Sequence, residues 1–254
     1  MWMDEFVSLL IYNLITFIMI AIGMCLCKRY VKKESIKDLI LKISSVLVII
    51  VHYSVLYVDY FKNGSALVEA NMILLIYPCN MTMWMLVAVA FMKKERKIYK
   101  RLCEFTCLIG TFCGVVGVLF NINFLENPNF LDYRILKGLI SHTIMVFGTV
   151  YLYVMNYVKI EVDSNMKSII FGLLIFITDG IIVNLLYYIF GFEPVNAMYM
   201  IKPPFENFPV LNFFTIGILG LGVCFGLLNL YELVKYPEEQ RWLTKIRLKH
   251  VNKK

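Results

Sequence analysis

The sequence predicts an all-α polytopic membrane protein, a bundle of seven transmembrane helices, and three observations predict it. Sixty per cent of the 254 residues are hydrophobic and 17% are charged, against about 45–50% and about 25% in soluble domains. The mean hydropathy is +0.72, and one core of this length cannot hide that much apolar surface. The apolar residues also come in unbroken runs, and most Lys and Arg residues between the runs fall on one side of the path. Together these exclude a soluble enzyme, a disordered chain and a disulfide scaffold.

Each run justifies one helix. A hydrocarbon core of about 30 Å takes about 17–25 mostly apolar residues. The runs are Phe6–Cys27, Ile43–Tyr60, Ala70–Met92, Phe105–Leu125, Gly138–Val158, Ser168–Phe192 and Val210–Tyr231. They are continuous rather than alternating, which favours helices over barrel strands. The first reads as an uncleaved anchor, because its leader Met1-Trp2-Met3-Asp4-Glu5 has no basic residue and no small-residue cleavage site follows.

Threading the seven spans alternately puts 21 of the 25 Lys and Arg residues on one side. The positive-inside bias then predicts an outside N-terminus and a cytoplasmic C-terminus. The net charge of +7 is read as topology signals beside an anionic leaflet, not as a nucleic-acid-binding face. Membrane lipids are the expected partners, with a membrane-protein partner left open and no nucleic acid. Residues 1–237 form the membrane domain and 238–254 a basic tail. That tail is either solvated or a short interfacial helix with Trp242, Ile246 and Leu243 toward lipid. The outer loop Glu193–Pro209 contains Pro203-Pro204, which forbids helix, and is expected to cap the bundle.

The seven cysteines, Cys25, Cys27, Cys79, Cys103, Cys107, Cys113 and Cys224, all lie in or beside apolar runs. That is not a disulfide framework. There is no C-x-x-C and no His pair at metal spacing, so neither a metal nor a cofactor is expected.

Ionisable groups inside spans are costly and point to function by default. They are His52, His142 and Asp179, joined by Cys79, Asn80 and Asn184. At about 1.5 Å per residue, His52, Cys79, His142 and Asn184 fall at similar depth in the outer half, with Asp179 deeper. Pro78 inside the third run is expected to kink it and open a pocket at Cys79. A thiol becomes a nucleophile only beside a base or a positive group. His142 is the first candidate base and His52 the second. Asp179 or Asn184 would orient the imidazole, and Tyr77, Asn80 or Asn184 would donate to an oxyanion. The same residues also suit plain packing and interhelical hydrogen bonding.

The segments LLIYPCNMTMW, LKGLISHTIMVFGTVYLY and NAMYMIKPP resemble the YwaF-type integral membrane proteins of low-GC bacteria. That family's third span reads like LPLHLCDLA. Cys79 falls on the family Cys and His142 on the family His. Asn196, Tyr199, Lys202 and Pro203 fall on the outer-loop elements. Tyr77 stands where the family has His, and Asn80 where it has Asp. The resemblance implies a multi-pass protein of the bacterial cell membrane. It also implies a distant relation to eukaryotic transmembrane proteins linked to phospholipid acyl transfer through a Cys. Three functions compete: a lipid-modifying enzyme using Cys79 and His142, with Asn196, Tyr199 and Lys202 meeting substrate outside; a small-molecule transporter or binding protein; and an accessory subunit whose polar groups only join helices. Seven spans without an internal repeat count against a transporter.

Overall fold

Six of the seven apolar runs lie largely within helices somewhat longer than the runs, because a polar turn extends each helix at one end or both. The computed structural model describes residues 2–64, 74–121, 124, 128–192, 195–203, 209–210 and 212–251, with side chains only within 5–248. We label the helices α1 (Trp2–Tyr30), α2 (Glu34–Asn63), α3 (Pro78–Phe91), α4 (Lys97–Leu119), α5 (Tyr133–Val154), α6 (Val162–Ile189), α7 (Phe213–Lys235) and α8 (Trp242–Val251). No strand occurs among the described residues. Six helices are long and apolar enough to cross a membrane, all but α3 and α8.

The third run departs from expectation. Pro78 does not kink a long helix. It is the first residue of α3, and Tyr77 before it is extended (φ −107°, ψ 148°). Proline lacks the amide that a helix interior needs, whereas the first turn leaves that amide unbonded anyway. Hydropathy continues through Leu74–Tyr77 and does not register a helix start, so from sequence alone the proline falls inside the run. At 14 residues, α3 is about 21 Å long, too short to cross a bilayer core alone.

The core is built around α4, flanked by α5, α3 and α6, with α2 behind α5. Gly110, Gly114 and Gly117 form a stripe on α4. Cβ atoms there would lie 2.6 Å from Thr82, 2.6 Å from Val146 and 2.1 Å from His142. Small residues at this spacing let helix backbones approach closely. On another face, a Cβ on Gly172 would lie 2.1 Å from the ring of Phe105, which is fully buried. Gly172→Ala is therefore expected to cost about 1–3 kcal/mol through overpacking. Gly217→Ala, with nothing within 4 Å of the added carbon, is expected to be neutral or slightly stabilising. Thermal unfolding of both variants in one detergent checks the contrast.

The two ends of the bundle differ. At the end carrying Lys28, Lys94 and Lys159, buried carboxylates tie the helices together. Glu104 accepts from the Ser168 hydroxyl at 2.6 Å and from Ser164 at 3.0 Å. Glu232 accepts from the Val162 amide at 2.8 Å and the Trp242 amide at 2.6 Å. We call this the basic end. The tail is helical as α8, but Trp242 packs edge-on against Phe225 of α7 at 5.3 Å. It faces the bundle rather than lipid, while Leu243 and Leu248 are exposed.

At the opposite, loop end, a 3-10 turn at Ala197–Tyr199 docks against α6. Asn184 bonds it in both directions, accepting from the Ala197 amide at 3.0 Å and donating to the Ala197 carbonyl at 3.2 Å. The Met198 amide donates to the Ile76 carbonyl at 2.7 Å. The turn thus serves backbone that α3, by starting late, leaves non-helical. Non-helical backbone survives in a membrane bundle where protein covers it. The expected cap is present over residues 195–203; the rest of that loop lies largely outside the described residues.

Candidate functional site

Cys79 is the second residue of α3, so its sulfur sits at a helix N-terminus within the bundle. The first amides of a helix have no carbonyl partner inside it, and the helix dipole is positive there. The Cys79 and Asn80 amides point at the Cys79 sulfur, and the thiol donates to the Asn80 side-chain oxygen at 3.5 Å. Amides at a helix start can stabilise an oxyanion. Cys79 packs against a cluster of Val48 of α2, Met83 of α3 and Met145 of α5, which Ile49, Cys113 of α4 and Ile144 also join.

The capping turn brings in an aromatic pair. Tyr199 stacks on Tyr77 with ring centroids 5.3 Å apart and 26° between planes. Its hydroxyl is within electrostatic range of the Cys79 and Cys113 thiols. Burial, with those neighbours, raises the phenol above its ordinary value, so it stays a proton donor at neutral pH. Met198 and Tyr199 hold left-handed backbone, φ 53° and 56°, which costs of order 1–3 kcal/mol per residue and persists only under tertiary constraint. Asn196 supplies part of that constraint. Its oxygen accepts from the Ile201 and Lys202 amides, each at 3.0 Å, and its amide donates to the Lys202 carbonyl at 2.8 Å. Of the three expected loop residues, Asn196 closes the turn, Tyr199 enters the site and Lys202 is exposed.

His142 is partly buried on α5. Its Nδ1 lies 2.7 Å from the Gly138 carbonyl, which only accepts, so in the neutral ring Nδ1 carries the proton and Nε2 the lone pair. The ring edge rests on Gly117. Gly138 therefore orients the imidazole, while Asn184 holds the capping turn. No hydrogen bond joins His142 to Cys79; the thiol's bond goes to Asn80. The register explains the gap. His142 lies three residues from Met145, and Gly117 four from Cys113, both toward the loop end, so the imidazole sits about one helical turn from the thiol's shell.

His52 repeats this offset on α2, four residues beyond Val48. It is buried, its Nε2 has no hydrogen-bond partner, and its ring meets Tyr53 edge-on at 5.1 Å. It is within electrostatic range of His142 and Lys137. Asp179 on α6 makes no hydrogen bond among the described residues, with Oδ2 buried. Tyr77, Cys79 and Asn80 lie together at the start of α3, with Tyr199 stacked on Tyr77, and His142 and His52 lie about a turn toward the loop end from the residues that pack with Cys79.

Two features escaped the sequence reading. The glycine stripe on α4 was visible as G-x-x-x-G-x-x-G. The helix start at Cys79 was signalled only by Tyr77-Pro78, which can equally mark a kink.

Residues 3–230 match the family model described as the TMEM164 family. The chain belongs to the TMEM164 family. No curated protein and no solved structure matches it. Membership places the chain in a family of membrane proteins, in agreement with its six long apolar helices. The matched region covers α1 to α6, the capping turn and most of α7, and so contains every residue of the site in this TMEM164 family member.

Proposed function

We propose that the protein is a YwaF-like acyltransferase or hydrolase acting on membrane lipids through Cys79. The observation that carries this reading is the position of the thiol, second in α3 at the helix start, with the Tyr199 hydroxyl within electrostatic range. In this reading the sulfur, its proton taken by His142 Nε2, attacks the carbonyl carbon of a lipid ester. The Cys79 and Asn80 amides and the Tyr199 hydroxyl stabilise the oxyanion. The C–O bond breaks, the lipid alcohol leaves with that proton, and the acyl group remains on sulfur as a thioester. A second lipid alcohol, or water, takes the acyl group and restores the thiol. The ester oxygen lies in the one-turn gap between thiol and imidazole, with His52 as the alternative base. Incubating purified protein with a phospholipid carrying a labelled acyl chain tests this. A hydroxylamine-sensitive mass increase on the Cys79 peptide is expected, and its absence under turnover conditions would refute the reading.

In the same proposal α3 and the chain before it complete a seventh crossing, with the N-terminus outside and the C-terminus in the cytoplasm of a bacterial cell. The support is the 21-to-4 division of basic residues. A reporter fused after Lys254 is expected to be active only in the cytoplasm; periplasmic or surface activity would reverse the topology.

A second reading is a non-enzymatic solute carrier or binding protein. It is favoured by α3 beginning inside the bundle, as the half-helices of transporters do, and by the unpartnered Asp179 oxygen. Uptake that survives Cys79→Ala but not Asp179→Asn would select it.

A further inference from the structure

A large apolar cavity lies away from Cys79. α1 and α2 follow each other through the three residues Val31–Lys33, yet they diverge. Both lean on α5 instead. Tyr12 of α1 bonds Thr143 of α5 at 3.0 Å, and Gly23 of α1 meets Phe147 of α5. Between the two helices opens a cleft of about 620 Å³, its walls including Ile15 and Met19 of α1, Ile43 and Leu47 of α2, and Ile144 and Phe147 of α5. That volume is within the range of about 300–1,000 Å³ seen for ligand sites. Its surface is almost wholly apolar.

Charge identifies the occupant. The cleft runs toward the α1–α2 junction at the basic end; Ile40, on its wall, is about 9 Å along α2 from Glu34. The junction carries Lys28, Arg29, Lys32 and Lys33. None of these four makes an ion pair among the described residues, in contrast to Lys37, which is held by Glu34 at 2.5 Å. The walls stop at Ile20 and Ile40, Ile20 about 12 Å along α1 from Lys28, and beyond them stand four cations without an ion pair, Lys32 donating to the Lys28 carbonyl at 2.8 Å. An apolar slot with cations beyond its end matches an amphiphile with one long chain and an anionic head. An apolar helix from another protein would leave the cations unused.

We propose that the α1–α2 cleft is a binding site for an anionic phospholipid, one acyl chain between α1, α2 and α5 and the phosphate at Lys28–Lys33. The site is separate from Cys79 and does not depend on the acyl-transfer reading. It gives α1, held to the bundle by few contacts, an apolar neighbour along its open side.

The test uses the full chain in nanodiscs with phosphatidylglycerol or phosphatidylcholine carrying a diazirine in the acyl chain. Crosslinks are mapped by mass spectrometry. Label from phosphatidylglycerol is expected to concentrate on residues 12–20 and 40–47, above the equally lipid-exposed Leu174, Ile181 and Leu219. Ile43→Trp fills the slot from an exposed position (56% accessible) and is expected to remove that enrichment with labelling at Leu174 unchanged. Lys32→Ala with Lys33→Ala is expected to lower the preference for phosphatidylglycerol by about 25-fold, since each surface cation near an anionic leaflet contributes about fivefold. Label spread evenly over all exposed helices would overturn the proposal. So would equal labelling by both lipids, or enrichment that survives Ile43→Trp.

Discussion

Cys79→Ala is expected to abolish acyl transfer while leaving the fold intact. Loss of a covalent nucleophile removes a step rather than weakening one, and such losses are on the order of 10⁴-fold or more in rate. The thiol is partly buried and donates to its neighbour Asn80, so alanine leaves a small void and no orphaned partner across the bundle. The control is Cys113→Ala. Cys113 packs in the same cluster but lies in the interior of α4, where helix amides are bonded. Its replacement is expected to change the rate by no more than a few-fold. If the two variants lose activity equally, the thiol acts through packing and the helix start is irrelevant.

His142→Ala separates the roles further. A general base contributes about 10²–10⁴-fold, so a loss in that range, with the acyl adduct slow to form, identifies the imidazole as the proton acceptor. His52→Ala with a comparable loss would move that role to α2. Both rings stand about one turn beyond the thiol's shell toward the loop end, and neither has a bond that excludes the other.

Much of this was legible in the sequence, and the reason is physical. Lipid forces every span to satisfy its own backbone, so uninterrupted apolar runs map onto helices with little ambiguity. The polar residues within them, from His52 to Asn184, were visible by their cost alone. Their mutual geometry was not. Asn184 reads as a possible catalytic partner in the sequence, but it bonds both backbone groups of Ala197, a partner thirteen positions away that no periodicity announces. Asn196 likewise reads as a ligand-binding residue and turns out to close its own loop. Tyr199 stacks on Tyr77 from a turn in which Met198 and Tyr199 both hold left-handed backbone, which neither residue type suggests. Glu104 and Glu232 were passed over because they sit at the edges of apolar runs, where a carboxylate passes for a solvated end.

Glu232 is expected to be the most destabilising of these to remove. It is buried to 4% accessibility, and its two oxygens each take the first amide of a different helix, Val162 of α6 and Trp242 of α8. A carboxylate at a helix N-terminus is favoured by the dipole as well as by the hydrogen bond. Alanine would strand both amides at once, at about 1–3 kcal/mol for each one left buried without a partner. Val162 is fully buried and can find no water, while Trp242 is partly exposed, so the loss is expected to sum to about 2–4 kcal/mol. Glu232→Gln should fall between, because one of its terminal atoms is itself a donor and would face an amide. The expected readouts are a lower unfolding temperature in the order wild type, glutamine, alanine, and faster protease cleavage at Tyr236–Arg241 as α8 detaches. Cleavage should lead the thermal effect in the glutamine variant, since rotating the side chain can keep the Val162 bond and sacrifice the more exposed one at Trp242. Equal unfolding temperatures for wild type and Glu232→Ala would mean that α8 and the start of α6 are held by apolar packing alone, with the Trp242–Phe225 contact as the anchor.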